Sequence, residues 1–404
     1  MRSDGMRRMI WLAGALVLLG GSAAHAGEKA IKIGVLGDMS GYASSTGGVG
    51  AVTAARLAIE DVGGAIDGKP ITLISADMQS KPDTAATIAR QWFDQDGIDI
   101  IVDVPVSSVA LAVQAVAREK HKVLLITAGL TTDLTREQCS PWTLQWADDT
   151  SALAQGTVRA LVAQGLRKWF FVTADFAFGH ALQRDATAIL QAAGGELVGS
   201  VQAPMQTTDF SSYLITAQSS PAQVVAFANA SIDTITSIKQ AGEFGLAASG
   251  KKLAALLVYI SDVHSIGLAD AQGLYVTSGY YWDESEASRA FARRFFAIQH
   301  AMPTKEQANI YAGLTNYFRA VKETGGDAAD PVMTWLKSHP LDYFGRQTTL
   351  RADGRVMYDL ALYQVKSPAE SKAPWDYYKK IAEVPAEQAF LPLDAARCPS
   401  AASR

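Results

Sequence analysis

The feature that most constrains the fold of this chain is a repeated alternation of short apolar segments with segments of helical periodicity. The apolar segments form a first series at Ile31–Leu36, Ile71–Ala76, Ile98–Val104 and Val123–Thr127, and a second at Lys168–Thr173, Glu196–Gln202, Gln223–Ala228, Leu253–Ile260 and Gly273–Ser278. The helical segments between them are Ala51–Val62, Asp83–Asp94, Ser108–Glu119, Phe178–Ala193, Phe210–Gln218 and Ser231–Phe244. Such alternation predicts an α/β protein with parallel, doubly wound sheets, and its two series predict two similar lobes.

After Ser285 the pattern changes. Three helical segments and one strand segment follow, at Ala287–His300, Glu306–Thr324, Asp330–Ser338 and Val356–Lys366. Asp330 is the expected N-cap of its helix, with Pro331 as the first helical residue. No low-complexity linker separates the two series, which predicts that several short crossings join the lobes.

The loop between Ile31–Leu36 and Ala51–Val62 is rich in Gly, Ser and Thr and is longer than most connections of this kind. It lacks the Lys of a phosphate-binding loop, and Thr53 stands where a dinucleotide fingerprint has its third glycine. A glycine-rich loop that uses positive φ angles is the simpler interpretation. Ligands of open α/β sheets bind beyond the carboxyl ends of strands, so we expect this loop near a ligand site.

The first 26 residues are typical of an export signal. Arg2, Arg7 and Arg8 precede the apolar run Met9–Gly21, and Ala24–Ala26 fits an A-x-A cleavage pattern. The apolar run is shorter than a membrane-spanning helix requires. We therefore expect cleavage after residue 26 and an exported mature chain that does not insert into the membrane.

The charge of the chain bears on its partners. The formal net charge is −4, and the sequence contains no basic stripe. Nucleic acids and anionic membrane surfaces attract clustered Lys and Arg, so neither is an expected partner. The two cysteines, Cys139 and Cys398, are expected to form a disulfide in an oxidising compartment, because both lie in segments with the composition of exposed turns.

Enzyme motifs are absent from the sequence. The histidines do not occur in H-E-x-x-H or in another ligand spacing, and there is no G-x-S-x-G. We therefore expect no catalytic residues, no metal site and no cofactor, although a secreted hydrolase that uses scattered residues is left as an alternative.

An ordered set of short motifs resembles a known family. They are Ile31–Val35, Met39-Ser40-Gly41, Val106-Ser107-Ser108, Asp133-Leu134-Thr135, Phe178-Gly179, Asp209-Phe210-Ser211, Ile238–Ala241 and Glu243-Phe244-Gly245. With these, residues 30–400 resemble the periplasmic substrate-binding proteins of ABC transporters, of the branched-chain amino acid (Leu/Ile/Val-binding) type. Trp169–Ala181, Tyr281–Asp283 and Pro374–Tyr378 resemble a subgroup of that family.

The resemblance implies two Rossmann-like lobes with parallel sheets, joined by three crossovers around a ligand cleft. It places residues 27–147 and 279–355 in the first lobe, and residues 148–278 and 356–404 in the second. It also implies a monomeric periplasmic protein that delivers a small carboxylate to the permease and ATPase subunits of an importer. A ligand sensor that docks on a receptor would have the same sequence features.

For the first lobe, the resemblance implies that the ligand carboxylate is bound by Ser107 and by the loop Ala128-Gly129-Leu130-Thr131. Ser107 and Ser108 open a helical segment, and the N–H groups and dipole of a helix start attract anions. Ser107 as a simple N-cap is the alternative interpretation. Tyr42, in the long first loop, is a further candidate for the ligand site.

For the second lobe, the resemblance implies an aromatic wall and an acidic partner for a ligand ammonium. Phe178 is the candidate aromatic, and Asp262 or Asp175 the candidate acid, with Asp262 as a helix cap the alternative. Trp282 lies next to the last crossing and could make the cleft more aromatic. Together with Tyr42, Phe176 and Phe178 it could enclose a flat ring, so aromatic or branched carboxylic acids are rivals to an α-amino acid as ligand.

Overall fold

The computed structural model describes residues 30–398. The predicted export signal, residues 1–26, lies outside the described residues. Two lobes are present, each built on a mainly parallel sheet with helices on both faces, as the alternating pattern predicts. The predicted fold class is therefore confirmed.

Lobe 1 is built on a six-stranded sheet with the order β2-β3-β1-β4-β5-β6. Its strands are β1 (Ile31–Gly37), β2 (Ala65–Ile66), β3 (Lys69–Asp77), β4 (Ile100–Asp103), β5 (Val123–Ile126) and β6 (Thr143–Gln145). Its early helices are α1 (Gly48–Asp61), α2 (Pro82–Gln91) and α3 (Ser107–Lys120). β4 and β5 are buried along their whole length, as expected for strands covered on both faces.

Lobe 2 is built on a four-stranded parallel sheet with the order β10-β9-β7-β8. Its strands are β7 (Lys168–Ala174), β8 (Glu196–Ala203), β9 (Val224–Ala228) and β10 (Lys252–Ala255). Its helices are α4 (Thr150–Ala163), α5 (Ala177–Ala192), α6 (Ser211–Ser219), α7 (Ser231–Glu243), α8 (Ile260–Ile266) and α9 (Leu268–Ala271).

Two small antiparallel sheets complete the fold. One joins β11 (Tyr275–Ser278), β15 (Leu360–Val365) and β16 (Tyr378–Val384), and the other joins β12 (Leu341–Tyr343), β13 (Arg346–Leu350) and β14 (Val356–Met357). The late helices are α10 (Glu286–Gln299), α11 (Lys305–Thr324), α12 (Ala329–Ser338) and α13 (Ala386–Ala389). α10 and α11 both pack on α1, so they belong to lobe 1.

Three passages of the chain between the lobes meet at one buried carboxylate. Asp148 lies between β6 and α4, and it accepts hydrogen bonds from Gly279 N (3.1 Å) and Tyr358 Oη (2.8 Å). Gly279 follows β11 and Tyr358 follows β14, so each partner comes from a different passage. Lys305 Nζ, at 2.9 Å, supplies the opposite charge that a buried carboxylate requires. The residue boundaries predicted for the lobes stay predictions.

Two sequence predictions are wrong in detail, and one helix was not predicted. The strand predicted at Leu253–Ile260 ends at Ala255, because its apolar second half turns away and Ile260 begins α8. Asp330 is not the N-cap of its helix, since α12 already begins at Ala329 and its N-cap residue is Ala328. The sequence pattern also missed α4, whose residues are buried on most sides and therefore lack an amphipathic period.

Cys139 and Cys398 form a disulfide, as predicted, with their Cα atoms 5.5 Å apart. The expectation that they lie in exposed turns is wrong, since both are buried. Arg397 beside the bridge also contacts Glu137 (3.3 Å), so the last described residues are held against a lobe 1 loop.

Candidate ligand-binding cleft

A cavity lies between the lobes, beyond the carboxyl ends of the central strands of both sheets. It encloses about 340 Å³ of space free of protein atoms, counting the part open to solvent. Its lining residues are Tyr42, Ala43, Thr46, Pro105, Val106, Ser107, Ala128, Leu130, Phe176, Phe178, Ala230, Ser231, Leu257, Tyr259 and Glu306.

On the lobe 1 side, Ser107 is the first residue of α3, and Val106 occupies the N-cap position without a side-chain cap. Ser107 is therefore not the N-cap that one interpretation expected. Its Oγ accepts a hydrogen bond from Thr131 N (3.2 Å), which leaves the hydroxyl proton available to a ligand. Val106 has a φ of 69°, rare for a β-branched residue, and this type of strain concentrates at functional sites.

The loop after β5 packs against Ser107 and is itself held in place by further hydrogen bonds. Gln145 Nε2 donates to Gly129 O (2.8 Å) and to Thr131 O (3.1 Å), which fixes the loop. A Cβ on Gly129 would lie 2.4 Å from Ala110 Cβ, so only glycine allows the loop to approach α3 this closely. Ala128 lines the cavity, whereas Gly129 and Thr131 are in the layer behind it.

Aromatic rings form much of the lobe 2 side. Phe176 and Phe178 follow β7, with ring centroids 6.0 Å apart, and Phe178 is almost fully buried. Tyr42 from lobe 1 meets the Phe176 ring edge-on at 5.8 Å. Such contacts favour a flat or branched apolar group in the cavity.

Two tyrosine hydroxyls join the lobes beside the cavity. Tyr42 Oη donates to Ala230 O (2.5 Å), from lobe 1 to lobe 2. Tyr259 Oη, on lobe 2, donates to Glu306 Oε1 at the start of α11. Because both contacts are buried and cross the cleft, they hold the lobes in a closed arrangement around the cavity.

Glu306 is the acidic residue that lines this cavity. It is 3% exposed, and its Oε2 atom has no hydrogen-bond partner of good geometry among the described residues. Burial raises the pKa of Glu306 to about 7, against the hydrogen bond from Tyr259 that lowers it. The adjacent Lys305 pairs instead with Asp148, and its Nζ lies 5.5 Å from the centre of the Tyr259 ring.

The two acids predicted from the sequence lie elsewhere. Asp262 is in the first turn of α8, where its Oδ2 accepts from Tyr259 N (2.9 Å), and it does not line the cavity. Burial raises the pKa of Asp262 to about 7. Asp175 is exposed and pairs with His180 (2.9 Å). The structure thus gives Asp262 a capping contact and places Asp175 at the surface.

Trp282 and Ser108 are also outside the cavity lining. Trp282 Nε1 donates to Trp375 O (2.8 Å), which ties the passage after β11 to the C-terminal segment. Ser108 is the second residue of α3, one position beyond the lining residue. The predicted candidates that do line the cavity are Tyr42, Ser107, Ala128 and Phe178.

Sequence reasoning missed Thr46, Ser231, Tyr259 and Glu306. Thr46 lies in the loop between β1 and α1, while Ser231 and Tyr259 lie at the starts of α7 and α8 after strands β9 and β10, so a topological rule would have included these three. No sequence signal singles out Glu306, because Glu is common in the first turn of helices. Its direction into the cleft depends on how lobe 2 closes over α11.

Within residues 30–398, no group of three His, Cys, Asp or Glu side chains is arranged to hold a metal ion. No helix in this described part is both long enough and apolar enough to cross a membrane.

The chain is similar to proteins of one family. Residues 30–372 match the sequence model of the family described as periplasmic binding protein. A Leu/Ile/Val-binding protein homolog 6 of Brucella suis biovar 1 (strain 1330) is 25% identical over 351 residues, covering 82% of this chain and 87% of that protein. A periplasmic binding protein from Burkholderia mallei is 44% identical, with a TM-score of 0.89 over 92% of this chain and 99% of that one. A branched chain amino acid ABC transporter periplasmic ligand-binding protein from Burkholderia xenovorans LB400 is 38% identical, with a TM-score of 0.82 over 92% of this chain and 100% of that one.

Proposed function

This chain belongs to the periplasmic binding protein family, and on that basis we propose that it captures a small carboxylic acid for import. The preferred ligand class is an amino acid or a related small carboxylate. The observation that carries this proposal is Ser107 at the start of α3, with its hydroxyl proton available in a cavity between two lobes. A helix start of this kind binds an anionic group through its N–H groups and dipole.

The relatives support the amino acid class. The Brucella relative is named a Leu/Ile/Val-binding protein homolog, and the Burkholderia xenovorans relative is named for branched chain amino acid transport. The aromatic wall of Phe176, Phe178 and Tyr42 favours a second candidate class, aromatic or branched keto and carboxylic acids.

In this proposal the protein performs no chemistry on its ligand and passes it to the permease and ATPase subunits of an ABC importer. Closure of the lobes around the ligand presents a defined surface to the permease. The mature chain acts as a monomer. If genes for a permease and an ATPase do not accompany its gene, a sensing role that docks on a receptor replaces transport.

A thermal-shift screen over amino acids, branched keto acids and aromatic acids tests the function. A true ligand binds only the folded state, so it stabilises the protein by about 2.7 kcal/mol at a concentration one hundred times its Kd. The hit should be recovered unchanged after incubation with the protein. Conversion of the hit into a product would establish an enzyme instead, and a screen without any carboxylate hit would contradict the proposed ligand class.

We also propose that residues 1–26 are an export signal and that the mature periplasmic protein begins at Gly27. Intact mass spectrometry of protein from a periplasmic extract tests this assignment. A mass that starts at Gly27 supports it, whereas a membrane fraction that retains the full-length chain contradicts it.

A further inference from the structure

We infer that Glu306, and not Asp262 or Asp175, receives the ammonium group of the ligand, so that the protein selects α-amino acids over the matching acids without nitrogen. This inference rests on the proposed function, because it assigns a role inside the same ligand cavity. Neither the motifs of the sequence nor the relatives single out Glu306.

The first argument is the state of the Glu306 carboxylate. One oxygen accepts from Tyr259 Oη, while Oε2 is buried and has no hydrogen-bond partner of good geometry among the described residues. The Thr46 hydroxyl is close enough to lower the pKa of Glu306, but in the structure it donates to Ala43 O (3.1 Å). A buried polar atom without a partner is costly, and its presence in a cavity lining indicates that a ligand group completes it.

The second argument is the charge of the surroundings. Several buried acids lie near Glu306. Asp148 raises the pKa of Glu306, and Glu306 in turn raises the pKa of Asp103. Asp262, one turn from Tyr259, raises the pKa of that tyrosine. The nearby cation, Lys305, lowers the pKa of Glu306, but its Nζ is held by Asp148 at 2.9 Å. An ionised Glu306 therefore lacks a dedicated cation from the protein, and a ligand ammonium supplies one.

The third argument is the shape of an α-amino acid. Its carboxylate and ammonium are carried by one carbon, so their binding groups must line the same small cavity. Ser107 and Glu306 both line it, whereas Asp262 and Asp175 do not. Asp262 is also already engaged by the backbone N–H of Tyr259 (2.9 Å).

A simpler role for Glu306 would be to stabilise the start of α11 through the helix dipole. Acids with that role normally remain in contact with solvent, where the ionised form costs little. Glu306 is instead buried, and its partner is a tyrosine on the opposite lobe. Its position couples lobe closure to the content of the cavity.

The experiment compares ligand pairs that differ only in the ammonium group. The probes are L-leucine with 4-methylpentanoate and L-phenylalanine with 3-phenylpropanoate, titrated by calorimetry into the purified full chain. The wild-type protein should bind the amino acid of at least one pair more tightly. Glu306→Gln keeps an acceptor for Tyr259 and removes the charge, so it should weaken the amino acid by about 100-fold and the nitrogen-free acid by less than about 3-fold.

Two further variants separate the rival explanations. Ser107→Ala should weaken both members of a pair alike, since they share the carboxylate. Asp262→Asn tests the rival acid: if it abolishes the preference for the amino acid and Glu306→Gln does not, the inference is overturned. Thermal unfolding of each variant without ligand shows whether a loss of binding reflects a loss of folding.

Two results with the wild-type protein would also overturn the inference. One is tighter binding of the nitrogen-free acid in both pairs, which would leave the proposed carboxylate-binding function standing. The other is no binding of any of the four probes. In that case the proposed function is decided separately by the wider thermal-shift screen.

Discussion

The two walls of the cavity differ in chemistry. Lobe 1 presents the carboxylate of Glu306 and the hydroxyls of Ser107 and Thr46, while lobe 2 presents the rings of Phe176 and Phe178 beside the hydroxyls of Ser231 and Tyr259. In our proposal, lobe 1 therefore recognises the charged end of a ligand, and lobe 2 recognises its apolar part. Such a division would let proteins of this fold bind ligands with different side chains while they keep the same carboxylate site.

The two walls are alike in one respect: each has a residue with a positive φ angle at or just before a helix start. Val106 before α3 has a φ of 69°, and Ser231 at the start of α7 has a φ of 52°. Both residues line the cavity, one on each lobe. Strained backbone conformations persist only where the surrounding structure enforces them, and they are concentrated at functional sites. The two walls therefore share a strained backbone at a helix start but differ in the side chains that they present to the cavity.

The largest expected effect concerns the disulfide that ties Cys398, the last described residue, to Cys139 in a lobe 1 loop. It closes a loop with a sequence separation of 259, for which chain-entropy models give a stabilisation of about 5.5 kcal/mol. The double variant Cys139→Ser, Cys398→Ser should therefore lower the denaturant midpoint of unfolding. Ligand preference should not change, because neither cysteine lines the cavity. Equal midpoints under oxidising conditions would contradict a stabilising role for the bridge.

The second effect concerns the buried acid of lobe 1. Burial raises the pKa of Glu306 from an ordinary 4.5 to about 7, so between these values the folded state holds a proton that the unfolded chain releases. Glu306 should therefore lower the free energy of unfolding by ~3 kcal/mol as the pH rises from about 4.5 to above 7. Glu306→Gln should remove that contribution.

Denaturant unfolding of both proteins at several pH values measures the effect. Asp262 and Asp233, whose pKa values burial raises to about 7 and about 6, titrate in the same window. The informative quantity is therefore the difference between the wild-type protein and the variant at each pH. A difference that stays constant with pH would show that Glu306 keeps an ordinary pKa.

The third effect tests the carboxylate site of lobe 1. Ser107→Ala removes a hydroxyl donor to a charged group, which is worth about 1.5–3 kcal/mol. Affinity should fall by roughly 10- to 150-fold for every carboxylate ligand, measured by calorimetry. Ser108→Ala is the matched control, because its side chain does not line the cavity. A loss with Ser108→Ala as large as with Ser107→Ala would contradict the assignment of Ser107.

The smallest effect concerns the contact that joins the two walls. Tyr42→Phe removes the hydrogen bond to Ala230 O and keeps the ring that meets Phe176. Since one neutral hydrogen bond contributes about 0.5–1.5 kcal/mol, affinity should fall by roughly 2- to 13-fold for all ligands alike. Small-angle scattering should show a larger open fraction in the variant. Unchanged affinity for every ligand would contradict a role of the Tyr42 hydroxyl in holding the lobes closed.

Much of the fold could be predicted because its signals are local. The segment Val123–Ile126 is a strand at nearly the predicted bounds, since a short apolar run between helices has one stable place in a parallel sheet. The pairing of Cys139 with Cys398 followed from there being two cysteines. The strand predicted through Ile260 failed because an apolar run alone does not distinguish a strand from the start of a buried helix.

The sequence by itself determined the α/β class, the two lobes, the disulfide and Ser107 as a residue at a helix start that lines the cleft. The first three follow from periodicity and composition, whereas Ser107 was identified through the family resemblance together with its place at a helix start. Only the tertiary structure placed Glu306 in the cavity and Asp262 in a capping contact. The physical reason is that the partners of a side chain across a cleft depend on how the two lobes close. The local sequence around that residue does not indicate this arrangement. Tyr259 and Glu306 are far apart in sequence, and only closure brings a hydroxyl of one lobe to a buried carboxylate of the other.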